Sequence, residues 1–129
     1  MFTAEQIITA HSKVKSGADF PKYIKEIKKL GVSHYDAFVL DGHIDYYGIN
    51  DYKVVAPSRY QPLIIESLID QEKFETELIR HQQGKTNYET FIKMCADCGI
   101  EKWRVDLIEL TCTYFNKNGS IILEEQIPL

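Results

Sequence analysis

The feature that most constrains this chain is its agreement with itself. Shifted by 68 positions, Asp19-Phe20-Pro21-Lys22-Tyr23-Ile24-Lys25 falls on Asn87-Tyr88-Glu89-Thr90-Phe91-Ile92-Lys93, and Leu30-Gly31-Val32 falls on Cys98-Gly99-Ile100. Tyr35 then meets Trp103, and Tyr46 meets Tyr114. Each match does the same structural job twice, which is the signature of an internal repeat. Asp19 and Asn87 suit helix N-caps, because their side-chain oxygens accept the orphan N–H groups of a first turn. Phe20, Tyr23, Ile24, Ile27 and Leu30 keep helical spacing on one face, and Tyr88, Phe91, Ile92, Cys95 and Cys98 repeat it. Gly31 and Gly99 stand where a helix end favours positive φ. The spacing predicts helices over 20–30 and 88–98.

Strands follow each helix. Tyr35, Ala37 and Val39 alternate with more polar neighbours, as do Trp103, Val105 and Leu107. Asp41-Gly42 and Asn118-Gly119 are hairpin turn signals. His43 to Ile49 and Tyr52 to Ala56 read as the next two strands, with Leu110 to Phe115 and Ser120 to Glu125 as their counterparts. An earlier helix precedes each unit. Thr3 and Gln6 form a capping box, with Phe2 stapled on Ile7. Ile7, Ile8, His11 and Val14 form its inner side. The counterpart starts near Asp70 and carries Phe74, Leu78 and His81.

The expected fold is therefore α+β, a tandem duplication of a helix-helix-strand-strand-strand unit. Repeat 1 covers about 3–56, a connector 57–69 and repeat 2 about 70–127. Pro57 and Pro62 mark the connector as turn-rich or as an edge strand. Strands of both units are expected in one antiparallel sheet with helices packed on it, related by a pseudo-twofold axis. A single domain over 1–129 follows, because a copy of about 60 residues has only a marginal core of its own.

Composition narrows the setting. With 44% hydrophobic and 26% charged residues the chain can bury a core. No run approaches the 18 apolar residues of a membrane span, and Met1 to Gln6 lacks the basic and apolar regions of a signal peptide. Three cysteines, an odd count, suit a reducing compartment. The expectation is a cytoplasmic protein with no membrane partner. A net charge of −4 weighs against nucleic acid as a partner. The charge divides unevenly: residues 1–60 hold eight Lys/Arg against seven Asp/Glu, and residues 61–129 hold seven against twelve.

Candidate chemistry is sparse. Cys95-Ala96-Asp97-Cys98 is a C-x-x-C, but it lies at a helix C-terminus, where the dipole raises a thiol pKa. Its cysteines, and Cys112, fall on Ile27, Leu30 and Ile44 of the other copy, so they read as core residues. No metal site and no cofactor are expected. His81-Gln82-Gln83-Gly84-Lys85-Thr86 ends in Gly-Lys-Thr without the first glycine and strand of a phosphate loop. Lys22, Lys25, Lys28 and Lys29 form a solvated helix face. His11 and His81 end matching helices, either as a symmetric pair lining a cleft or as rings packed on the core. His43, Asp45 and Tyr47 share one sheet face. Tyr46-Tyr47 and Tyr114-Phe115 each send one ring away from the core, which suits an interface or ligand platform.

Phe20-Pro21-x-Tyr23, Gly31-Val32, Asp41-Gly42-His43, Gly99-Ile100-Glu101-Lys102-Trp103 with Val105-Asp106, and the ending Glu125-Gln126-Ile127-Pro128 together resemble the YdfO-like family. The resemblance spans nearly all 129 residues. It implies a bacterial or prophage-encoded α+β domain of unknown function, and it brings no catalytic residues. Some members carry a phage envelope label, which no membrane or capsid feature of this sequence supports.

The functional expectation is a non-catalytic binding or regulatory module, a homodimer that recognises a small molecule or protein. Its expected contacts are His43, Asp45 and Tyr47 on the sheet, Arg59 and Tyr60 in the connector, and His11 and His81 at the helix ends. The alternative is a small acid/base enzyme, with His43 or His81 as proton carrier oriented by Asp45 or Asp106. A third reading is a phage-derived inhibitor of a host protein, marked by an exposed apolar patch around Tyr47 or Phe115.

Overall fold

The structure is a computed structural model that describes residues 2–14 and 19–127. Pro128, the last residue of the family-like ending, lies outside them.

The helices start where capping chemistry directs. At α1 (Ala4–His11), the Thr3 hydroxyl accepts from the Gln6 N–H, while the Gln6 side chain accepts from the Thr3 N–H at 2.9 Å. Phe2 and Ile7 then sit together in the core, as a hydrophobic staple requires. α2 (Phe20–Leu30) has Pro21 in its first turn and stops at Gly31, φ +108°. Asp70 caps α3 (Gln71–Gln82), and Asn87 caps α4 (Tyr88–Asp97) by accepting from the Thr90 N–H at 2.8 Å. Asp19 differs from expectation. Its backbone is already helical and its side chain makes no capping bond, because an N-cap needs extended backbone to aim its oxygen at the first turn.

Six strands follow in two sets: β1 (His34–Phe38), β2 (Ile44–Tyr47) and β3 (Lys53–Ala56), then β4 (Lys102–Asp106), β5 (Thr111–Phe115) and β6 (Ile121–Gln126). The α-helices and strands thus run helix, helix and three strands, twice over, with a short 3-10 helix (Ile49–Asp51) between β2 and β3 in the first half. All pairings are antiparallel, in one sheet of order β3-β2-β1-β4-β5-β6. At its centre Asp36 pairs with Arg104, and Tyr35 and Ala37 pair with Val105 and Trp103. Position 36 thus faces position 104, 68 residues on, near the middle of the β1–β4 ladder.

Every helix lies on one face of the sheet. Tyr23, Ile24 and Ile27 of α2 bury against Tyr35, Ala37, Ile44, Tyr46, Val105 and Leu107. Phe91, Ile92 and Cys95 of α4, with Phe74 and Leu78 of α3, bury against Val39, Ile100 and Tyr114. Trp103 and Cys112 touch both clusters and join them. On α1 the inner stripe is Ile7 and Ala10, and Ile8 is 57% exposed. The expected inner position of Ile8 is corrected: one helical step from Ile7 rotates a side chain by about 100° and carries it off a narrow stripe. The connector is irregular and forms no strand. It is pinned instead, with Arg59 N–H donating to the Asp41 carbonyl at 2.8 Å, Leu63 N–H to Leu40, Glu66 N–H to Ala96 and Asp70 N–H to Cys98.

Candidate functional site

Strand alternation sends every second side chain to the face that the helices leave open. Three rows of side chains cross that face. Lys53, Tyr47, His34, Asp106 and Thr111 form the first; Val55, Asp45, Asp36, Arg104 and Thr113 the second; His43, Phe38, Lys102 and Phe115 the third. Among the described residues, no helix covers them.

The middle row is a polar core in its own right. Asp36, Asp45 and Thr113 are buried, and the side chains that reach them are their neighbours on the same face: Arg104 and Lys102 on Asp36, Lys53 on Asp45 and Glu124 on Thr113. Arg104 donates to Asp36 through two parallel bonds, Nε to Oδ1 at 2.7 Å and Nη2 to Oδ2 at 2.9 Å, and Lys102 stands 3.6 Å from Oδ2. Burial by itself raises the Asp36 carboxyl pKa. The Arg104 hydrogen bonds and the Arg104 and Lys102 charges more than offset it and hold the pKa below its ordinary value.

The outer rows are stacks of rings and cations. His34 lies flat on Tyr47 at 4.5 Å, and Lys53 sits over the same Tyr47 ring at 5.7 Å. His43 lies flat on Phe38 at 4.2 Å. The Lys102 ammonium rests between two rings, 5.6 Å from Phe38 and 5.2 Å from Phe115. Such contacts hold side chains in place before any partner arrives, which lowers the ordering cost of binding.

His43 stands between two carboxylates, the turn residue Asp41 and, at the limit of ion-pair distance, the expected Asp45. Its Nδ1 is 2.6 Å from Asp41 Oδ1, and its Nε2 is 3.9 Å from Asp45. Desolvation pushes the Asp41 carboxyl up, but bonds from the His43 backbone and ring outweigh it, and the net shift is downward. Asp106 is engaged elsewhere. Its Oδ1 accepts from the N–H groups of Ile108 and Glu109, closing the turn after β4. It stands in the first row and His43 in the third, so the two do not meet. The dyad lies on the open face. Two surface hollows, of about 720 and 360 Å³, are lined elsewhere, by Glu66, Asp70 and Glu72 and by Thr3, Thr9 and Glu26.

The remaining candidates lie on the helix side. The His11 ring packs edge-on against Tyr23 at 5.4 Å, and desolvation, then the Arg59 charge, lowers its pKa. His81 stacks on Phe91 at 4.3 Å with Nδ1 3.0 Å from the Thr86 hydroxyl, and burial lowers its pKa too. Both rings are packed on aromatic core residues, each in its own half. Tyr60 donates to the Val39 carbonyl at 2.7 Å and fills the space beside Gly42. Arg59 is exposed, with its guanidinium 5.7 Å from the centre of the Tyr88 ring. Cys95 and Cys98 are buried, and burial pushes the Cys112 thiol up to about 12. Among the described residues, no three His, Cys, Asp or Glu side chains are grouped to hold a metal ion.

The sequence reading missed Asp36, Arg104, His34, Phe38 and Lys102. A signal for them existed: they alternate with the inward Tyr35, Ala37, Trp103 and Val105, and Asp36 falls on Arg104 in the 68-residue shift, a charge reversal at equivalent positions. Comparison with known families adds one result. A family model described as a protein of unknown function, DUF1398, matches residues 8–126. The chain belongs to that family. No curated protein matches the chain. DUF1398 membership brings no assigned activity, so the case for function rests on the geometry. No helix among the described residues of this DUF1398 member is long and apolar enough to cross a membrane.

Proposed function

We propose that the chain is a non-catalytic interaction module that docks a protein partner, reversibly, on the open face of its sheet. One observation carries this reading: the uncovered face holds prearranged aromatic and cationic side chains, with Lys102 wedged between Phe38 and Phe115 and Arg104 fixed on Asp36. Aromatic rings and arginine are the side chains that contribute most at protein interfaces. The two surface hollows are lined away from this face, whereas small ligands bind in concave sites, which favours a protein over a small molecule. Five inter-strand spacings and three rows make a surface of roughly 25 by 15 Å, on the order of 400 Å². That is about half the area one partner contributes to a standard interface, and it fits a transient complex.

Finer readings attach to this one. The repeated element order and the register of Asp36 on Arg104 support a tandem duplication. Three free thiols support a cytoplasmic, reducing setting. The motif order supports a YdfO-like, prophage-related origin. Tyr47 and Phe115 are half-buried under their cations, so a host-directed inhibitor would meet a mixed polar and aromatic surface in place of an apolar patch. The Asp41–His43 contact favours acid/base catalysis as a second reading, with His43 as proton carrier.

Native mass spectrometry of the chain, purified gently from the cells that encode it, tests the proposal. The wild type is expected to carry an added polypeptide mass, either a second 15.0 kDa chain or a different protein. An Arg104→Ala/Phe115→Ser double variant is expected to lose it. Retention of the mass by a folded double variant contradicts docking on this face.

A further inference from the structure

The two edges of the sheet are closed unequally. Along an antiparallel strand, residues whose N–H and C=O groups face the neighbouring strand alternate with residues whose groups face away. The Gly48 N–H donates to the Tyr52 carbonyl at 2.8 Å, and the β2–β3 register continues through Tyr46 on Val54 and Ile44 on Ala56. Lys53 and Val55 of β3 therefore turn their backbone groups to the outer edge. Among the described residues, no hydrogen bond reaches them there. The other edge is guarded. Gln71 of α3 donates to the Ile122 carbonyl of β6 at 2.8 Å, and Glu124 and Glu125 set charge along the strand. Covers and charges of this kind keep a sheet edge from pairing with another chain.

The β3 edge has no such cover, and its one charge is drawn off it. The Lys53 ammonium lies 3.6 Å from Asp45 and over the Tyr47 ring of its own sheet. Val55 is 51% exposed, while Val54 between them packs on the core. The strand also complements itself. When two copies of β3 run antiparallel about Val54, Lys53 of each lies opposite Val55 of the other. Both outward residues then form pairs that exchange N–H···O bonds in both directions. Centring on Lys53 instead opposes two like charges. Centring on Val55 sets Lys53 against Pro57, which has no N–H to donate. The same arrangement of β6 about Glu125 brings two glutamates together.

We propose that β3 is a self-pairing edge, through which a second copy of this chain extends the sheet about a twofold axis at Val54. The contact is isologous, so it closes as a pair. The axis runs perpendicular to the sheet, which keeps the helices of both copies on one side and sets the two open faces next to each other. Two faces on the order of 400 Å² each reach about 800 Å², the area that one partner gives to a standard interface. That gain in area rests on open-face docking; the edge contact itself does not. A four-residue strand makes a short ladder, so the pair forms at high chain concentration and is absent from native mass spectra recorded at low concentration.

Sedimentation equilibrium of the purified chain over a dilution series tests the proposal, read together with amide NMR. Between about 10 µM and about 1 mM, the mass is expected to rise from one 15.0 kDa chain toward two. The Lys53 and Val55 amides are expected to shift in step. Val55→Lys keeps the edge N–H and sets a second ammonium opposite Lys53 of the other copy, and it is expected to weaken association at least tenfold. Lys53→Glu/Val55→Lys sets opposite charges across the same pair and is expected to restore association. A constant mass over the whole range overturns the proposal, as does equal association by Val55→Lys or no recovery in the double variant. A dimer that leaves the Lys53 and Val55 amides unmoved, or growth past two chains, overturns it as well.

Discussion

Asp36 is the residue on which the open face turns. A carboxylate 3% exposed is tolerable only because Arg104 meets it with two short bonds. Its folded pKa lies below the ordinary value. A depressed carboxyl pKa adds stability that is present above the unfolded value of about 3.9 and is lost as pH falls through the folded one. Urea midpoints of the wild type are therefore expected to drop between about pH 5 and pH 2 more steeply than those of Asp36→Asn; parallel curves would show that the pair contributes nothing. Arg104→Ala at neutral pH leaves the buried charge with only Lys102 at 3.6 Å. A loss of roughly 2 kcal/mol is expected, near the low end for a charged hydrogen bond because Arg104 is itself partly solvated. Chemical denaturation measures it, and a loss below about 0.5 kcal/mol, the range of ordinary surface changes, contradicts the assignment.

At the scale of elements, the two helix-ending glycines separate two physical effects. Gly31 and Gly99 both have positive φ, +108° and +88°. Around Gly31 an added Cβ meets only Phe2, at 3.8 Å. At Gly99 it meets Ile69 at 2.8 Å and the Leu68 carbonyl at 2.9 Å, because the connector crosses there. Gly31→Ala is expected to cost about 1 kcal/mol, the backbone term alone. Gly99→Ala is expected to cost more, since connector backbone must also move. Equal losses in the two variants would show that the connector yields freely. Much of this level was legible beforehand. Helix ends were readable because caps and glycines act locally, as at Thr3, Asn87 and Gly31. Strand faces were readable because Tyr35, Ala37 and Val39 alternate. The path of the connector was not, because its bonds to Asp41, Ala96 and Cys98 join residues far apart in sequence and follow no period. For the same reason the short partner of His43 is Asp41, which the turn supplies, with the expected Asp45 farther off at 3.9 Å.

For the whole molecule, the decisive contact is β1 against β4. It joins the two halves at the centre of the sheet, and Trp103 and Cys112 belong to both core clusters. Neither half has a complete sheet without the other, so the chain is expected to unfold in one step, with far-ultraviolet and tryptophan signals coincident. Two separate transitions would mean that the halves are independent. This architecture places the four α-helices of the described residues on one side and leaves the other as a six-stranded surface. Its rings and cations are ordered by contacts within the sheet. Site-specific photo-cross-linking in the cells that encode the chain tests whether this surface is where a protein partner binds. A photoreactive phenylalanine derivative replaces Phe115 on the open face, and in a second variant it replaces Lys22 on the helix side. A discrete cross-linked protein is expected from position 115 and none from position 22. The same product from both positions, or a product from position 22 alone, would contradict it.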